Sequence, residues 1–142
     1  MMWYRIKPLE GENSQKVKKV LSTKTDIYGT YEDLSLIYTQ FYEVVTKNDE
    51  LIAFFGLSFW KNEVVLSCVY VYKEWRRKGV FKSILKYAKK AVSKDRWLTI
   101  NATNTNVLAN RIYARLLEYS HFDAKENVHW YIVRKIKKRG GN

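Results

Sequence analysis

The 142-residue sequence holds one cysteine, one proline and two histidines, and its 14 acidic residues are outnumbered by 26 lysines and arginines. A single thiol excludes an internal disulfide and a cysteine-built zinc site. Cys68 lies mid-way along an apolar stretch and reads as a small buried hydrophobe. No apolar run approaches the roughly 20 residues that span a bilayer. Met1-Met2-Trp3-Tyr4-Arg5 lacks the apolar core and small-residue cleavage site of a signal peptide. A cytoplasmic protein without a membrane partner is therefore expected, compatible with a monomer or a homodimer. Internal repeats and low-complexity linkers are also missing, so residues 1–142 read as one domain. With 46% hydrophobic and 15% aromatic content, that domain can bury a continuous core.

What the chain has in excess is positive charge, +12 overall. Between Lys73 and Arg96 ten basic residues face two acids, and Arg134 to Arg139 adds five more basic residues with no acid. Such a surface attracts polyanions. The plainer reading of Lys82, Lys86, Lys89 and Lys90 is the solvated face of an amphipathic helix.

The order of elements follows from periodicity and turn residues. Trp3 to Leu9 alternates as a first strand, with Pro8 near its end where a missing donor is tolerated. A short helix capped by Asn13 or Ser14 runs through Leu21. Asp26 to Ser35 is polar and reads as a loop. Gln40 to Lys47 and Leu51 to Trp60 are two strands joined by Asn48-Asp49-Glu50, and Lys61-Asn62-Glu63 turns into a third, Val64 to Tyr72. That third strand is apolar on both faces and belongs in the middle of the sheet. A helix from Gly79 to about Val92 puts Phe81, Ile84, Leu85, Ala88 and Val92 on one stripe. Trp97 to Ala102 is a short strand, Val107 to about Tyr119 a helix, and Val128 to Ile136 a final strand before a basic tail, residues 137–142. The fold class is mixed α/β, a twisted and mostly antiparallel sheet of six to seven strands with helices on both faces.

The stretch Val64 to Val92 carries the chemistry. An apolar strand leads through Lys73-Glu74-Trp75-Arg76-Arg77-Lys78 into a helix at Gly79. A helix start leaves about four N–H groups without intrahelical partners and about half a positive charge, so it holds phosphate. Gly79 suits that position, since a residue without Cβ permits close approach and unusual dihedrals. The pattern Arg76-x-x-Gly79-x-Phe81, preceded by Val69-x-Val71, resembles the pyrophosphate-binding segment of the GNAT superfamily of N-acetyltransferases. The family usually has Gly or Ala where this chain has Phe81. The resemblance implies that acetyl-CoA is the cofactor, its pantetheine arm pairing with the strand at Val69, Tyr70 and Val71. It also implies that Arg76, Arg77, Lys78, Gly79, Val80, Phe81 and Lys82 surround the diphosphate.

Asn106-x-x-Ala109-x-x-x-Tyr113 resembles the second signature of that family and lies a strand and a helix beyond the first. The resemblance implies that Asn106 braces the cofactor arm, that Tyr113 is the acid for the leaving thiolate, and that a backbone amide near Val69 polarises the carbonyl. The residues alone leave Tyr113 open as a core aromatic at helical spacing. Beyond Tyr113 the likeness frays, because Leu116 to Phe122 has no glycine where members carry Leu-Gly-Phe. The chemistry also needs a base for the amine's proton. Glu63 and Glu43 are the candidates, acting directly or through a water. In the family the segment between the first two strands covers the acceptor site, which makes Tyr28 and Tyr31 candidate substrate contacts. Ser67 and Cys68 lie beside the expected thioester, but His121 and His129 are remote, so direct attack is the simpler reading. No metal site is expected.

The leading expectation is an N-acetyltransferase acting on a primary amine, its sheet splayed between the strands ending near Val71 and Ala102. The basic surface and an expected scarcity of pocket acids argue against a polyamine acceptor and favour one carried on nucleic acid, such as DNA or tRNA, or on a protein. The alternative is a non-catalytic basic module of the same fold that grips nucleic acid.

Overall fold

The computed structural model describes residues 4–23 and 38–136. Seven strands form one sheet, β1 (Tyr4–Pro8), β2 (Thr39–Thr46), β3 (Leu51–Phe59), β4 (Glu63–Val71), β5 (Trp97–Thr103), β6 (Glu118–Asp123) and β7 (Val128–Arg134). Their spatial order is β1-β2-β3-β4-β5-β7-β6, which puts β4 in the middle. Short polar turns make β2, β3 and β4 consecutive antiparallel neighbours. The pairing of β4 with β5 is parallel, as the intervening helical crossover requires.

The described residues form three α-helices, α1 (Glu12–Thr23), α2 (Val80–Ala91) and α3 (Val107–Leu116). Val80, Ile84, Leu85 and Ala88 of α2 are buried on one sheet face with Val44, Phe55, Leu66 and Ile100. Val17 and Leu21 of α1 close the other face against Phe41, Val45, Phe54 and Cys68. Helix α3 ends at Leu116, earlier than its hydrophobic pattern predicts, because residues 118–123 pair with β7 as the outer strand.

Two local features shape the centre of the sheet. Opposite Phe54 and Gly56 lie Tyr70 and Ser67, so β4 carries one residue more than β3 across this step. The bulge is taken up at Cys68, whose φ is 51°. It reverses the alternation of β4: Leu66 packs on the α2 face, Cys68 on the α1 face, and Val69 and Val71 return to the α2 side. The second feature is a split. β4 and β5 pair only from Glu63 with Trp97 to Leu66 with Ile100, and beyond this point they part.

Candidate active site

The split leaves the edge of β4 facing β5 without a strand partner from Ser67 onward. Unpaired backbone N–H and C=O groups at a sheet edge can take up an extended, amide-bearing ligand as an added strand. At the end of β4 a single 3₁₀ turn, Lys73–Trp75, leads to α2. Gly79 caps α2 with φ 82° and ψ 7°, a left-handed conformation that glycine adopts without penalty. A Cβ placed on Gly79 would meet nothing within 4 Å, so glycine is needed here for its dihedrals and the space beside it is open. The first backbone bond of the helix runs from Ser83 N to Gly79 O, which leaves the amides of Val80, Phe81 and Lys82 without intrahelical acceptors. Exposed Arg77, Lys78 and Lys82 surround them.

Tyr113 of α3 stands across the split. Its ring stacks on Phe81 at 5.3 Å between centroids and meets Tyr131 edge-on at 5.6 Å. Burial raises its phenol well above the ordinary 10.0, with Tyr131 adding to the shift. The residue is buried, and its hydroxyl has no hydrogen-bond partner among the described residues. Asn106 is the N-cap of α3, its Oδ1 accepting from Ala109 N at 3.1 Å. The Asn-x-x-Ala spacing is thus first a capping contact.

On the opposite face of the sheet a cavity of about 730 Å³ lies over β4, β5 and β7. Its floor includes Glu63, Val65 and Ser67 of β4 and Thr99 of β5, so it reaches the point where the two strands separate. A chain of hydroxyls borders it, Thr39 Oγ1 to Ser58 Oγ at 2.7 Å and Ser58 Oγ to Ser67 Oγ at 3.0 Å. A split strand pair thus has a helix start with free amides on one face and a basin on the other.

Residues 9–119 match the Acetyltransferase (GNAT) family. The chain belongs to this family. Among solved structures, an acetyltransferase from Thermus thermophilus superposes with a TM-score of 0.69 at 13% identity, covering 93% of this chain and 98% of that one. A GNAT family acetyltransferase from Elizabethkingia anophelis with acetyl-CoA bound gives 0.68 at 13% identity, covering 93% and 98%. A putative streptothricin acetyltransferase from Bacillus anthracis str. Ames in complex with acetyl coenzyme A gives 0.64 at 16% identity, covering 94% and 98%. No curated protein matches the sequence.

Within this GNAT acetyltransferase the residues singled out from sequence separate into groups. Val69, Tyr70 and Val71 line the unpaired end of β4, Gly79 opens the helix that follows it, and Tyr113 packs on Phe81 of that helix. Val80 offers only its amide, because its side chain is buried in the core. Arg76 is drawn back to the strand, its Nε donating to Val71 O at 2.8 Å and its guanidinium lying 5.5 Å from the Tyr70 ring centroid. Glu63 lines the basin and accepts from Thr99 Oγ1 at 2.5 Å. Glu43 does not line it. Buried under the start of α1, its carboxylate accepts from Glu10 N and Asn13 Nδ2, both at 3.2 Å, with Lys7 Nζ at 3.7 Å. Tyr28 and Tyr31 lie outside the described residues.

Two expectations are revised by the geometry. Arg134, counted above among the charges of a surface that attracts polyanions, spends its charge within the fold. It sits on β7 and donates to the carbonyls of Lys89, Val92, Ser93 and Arg96, closing the end of α2. The basin is not short of acids either, since Glu63 and Asp123 line it and no described lysine or arginine does. Sequence reasoning missed Asn110, whose Nδ2 donates to the carbonyls of Thr103 and Asn106, both at 2.9 Å, and whose Oδ1 accepts from Tyr131 at 2.7 Å. The available signal was an amide four residues after the cap. It also missed the three basin tryptophans, Trp60, Trp97 and Trp130, which come from three separate strands or turns.

Proposed function

We propose that the protein transfers an acetyl group from acetyl-CoA to a primary amine by direct attack, with cofactor and acceptor meeting through the split between β4 and β5. The observation that carries this reading is the unpaired end of β4 leading into the free amides of α2. These residues fit the cofactor. The β4 edge from Ser67 to Val71 suits an arm with two amides, and the α2 start with Arg77, Lys78 and Lys82 suits a diphosphate. When bound, acetyl-CoA supplies an acyl thioester. The backbone near Val69 offers a donor to its carbonyl, and Tyr113, kept protonated by burial, is placed to give its proton to the departing sulfur.

Cys68 takes no covalent part. Burial pushes its thiol up to about 12, and the bulge turns it toward α1 and away from the split. Glu63 is too far to take the amine's proton directly. Six residues of strand separate it from Val69, roughly 20 Å at about 3.3 Å per residue. The proton therefore leaves through water in the basin, beside the Ser67 and Ser58 hydroxyls. The reading as a non-catalytic nucleic-acid module rests on the exposed lysines of α2, which the amphipathic pattern already explains, and on the basic tail 137–142, which lies outside the described residues.

Calorimetric titration with acetyl-CoA tests the proposal. Saturable binding that weakens with salt and is lost on Gly79→Asp is expected, because a carboxylate would face the diphosphate site. Absence of binding by the unaltered protein would overturn it.

A further inference from the structure

We infer that the acceptor is a linear polycation of the polyamine type, held by its charges in the basin between Glu63 and Asp123. The inference rests on the reading of the split as the place of acetyl transfer and adds the chemistry of the amine. Its starting point is a reversal of charge. In a chain of net charge +12, the cavity that reaches the split carries two carboxylates and, among its described lining residues, no lysine or arginine. Neither carboxylate is spent on a cation of the protein. Glu63 accepts from Thr99, and Asp123 Oδ1 accepts from the amides of Lys125 and Glu126; neither forms an ion pair among the described residues.

The rest of the lining is chosen for cations as well. Trp60, Trp97 and Trp130 present indoles to the cavity, and indole is the ring that attracts ammonium groups most strongly through its face. Aliphatic segments between the charges of a polyamine pack on the same surfaces.

Strand register sets the spacing. Glu63 pairs with Trp97 at the start of β5, whereas Asp123 pairs with Val128, which pairs with Thr103 at the end of β5. The two carboxylates thus mark opposite ends of the basin, on the order of 20 Å apart along the strand direction. Asp123 lies level with the open part of the split, and Glu63 lies at the far end of the segment where β4 and β5 still pair. A compact monoamine would reach only one of them. A long polyamine can place one ammonium near Glu63 while its other end, drawn in by Asp123, loses a proton to basin water and presents a neutral amine to the split. The nitrogen then forms the bond to the acyl carbon and sheds its second proton to basin water, the carbon–sulfur bond breaks, and the thiolate takes the proton of Tyr113, which water restores to the phenol. Glu63 becomes the anchor of the distant cation in place of a base.

Tryptophan fluorescence titration with spermine, 1,4-diaminobutane and n-butylamine in the presence of coenzyme A reads binding without turnover. We expect saturable binding in that order of affinity, with spermine at least tenfold tighter than n-butylamine. Glu63→Gln with Asp123→Asn keeps the size and the Thr99 and turn contacts, and should weaken spermine at least tenfold. Trp60→Ala, a change at a half-exposed turn residue, should weaken it several-fold. No saturable signal with spermine, or the same affinity in the doubly substituted protein, overturns the inference. Because acetyl-CoA binding is measured separately, its loss would count against acetyl transfer, while the spermine titration would still decide what the basin holds.

Discussion

Tyr113 shows how a motif residue acquires its properties from its neighbours. Phe81 occupies a position where the GNAT pattern favours a small residue, and its ring lies against the phenol at 5.3 Å. The stacked contact fixes the tyrosine and removes water from one of its faces, which contributes to the raised pKa. Protonated phenol is the form an acid needs, so turnover should show no falling limb from Tyr113 below pH 10. Tyr113→Phe should lower kcat by on the order of 100-fold while acetyl-CoA affinity is retained. An unchanged kcat would remove Tyr113 from the reaction, and a limb near pH 8 that disappears in this variant would show that burial does not keep its phenol protonated. Phe81→Ala tests the support. It should cost about 3 kcal/mol of stability and give Tyr113 more water, moving the alkaline limb of turnover to lower pH.

At the scale of elements, what could be read from sequence was what local chemistry dictates. The apolar run of β4 announced a central strand, the glycine at position 79 a helix start, and the Asn106 spacing a cap. Contacts between distant segments were not legible. Nothing in the neighbourhood of Cys68 announces a bulge, because the extra residue exists only relative to β3. The basin was hidden for the same reason, its tryptophans and acids being brought together by register across strands. Arg134 is the sharpest case. Counted with the basic surface, it instead places its guanidinium on four carbonyls at and beyond the end of α2, the nearest at 2.6 Å. Those carbonyls carry the negative end of the helix dipole. Arg134→Gln should therefore cost about 2 kcal/mol and lower Tm by about 5–8 °C. Acetyl-CoA affinity should not change, because the proposed diphosphate site lies at the opposite end of α2. A Tm within a degree of the unaltered protein would show the guanidinium contacts to be dispensable.

The whole molecule divides its charge between two faces, exposed lysines along α2 on one side and a basin with two carboxylates on the other. In the proposed reaction the polyanionic cofactor and the polycationic acceptor enter from opposite faces, which keeps the two from neutralising one another before they meet. The core that holds this arrangement is rich in groups whose neutral forms are favoured by burial. Cys68 is pushed from 9.0 to about 12, and Tyr42, Tyr72, Tyr113 and Tyr131 are raised above 10.0, with burial the largest cause in each. The sign of the linkage follows. A group whose folded pKa is raised contributes its full stability below the unfolded pKa and loses it as pH rises toward the folded one. Stability from these groups is therefore intact through pH 8 and declines from about pH 9, where the unfolded thiol begins to ionise, at about 1.4 kcal/mol per pH unit for Cys68 once it is past that point. The tyrosines join above pH 10. In thermal melts between pH 7 and 11, Cys68→Ala should move the onset of the decline from about pH 9 to about pH 10 and leave the steeper loss above it in place. Alanine tolerates the left-handed backbone at position 68 as well as cysteine does, so the change tests the thiol and not the bulge. An onset that stays at pH 9 in this variant would mean that the alkaline sensitivity belongs to groups elsewhere on the surface, and that the buried thiol contributes packing alone.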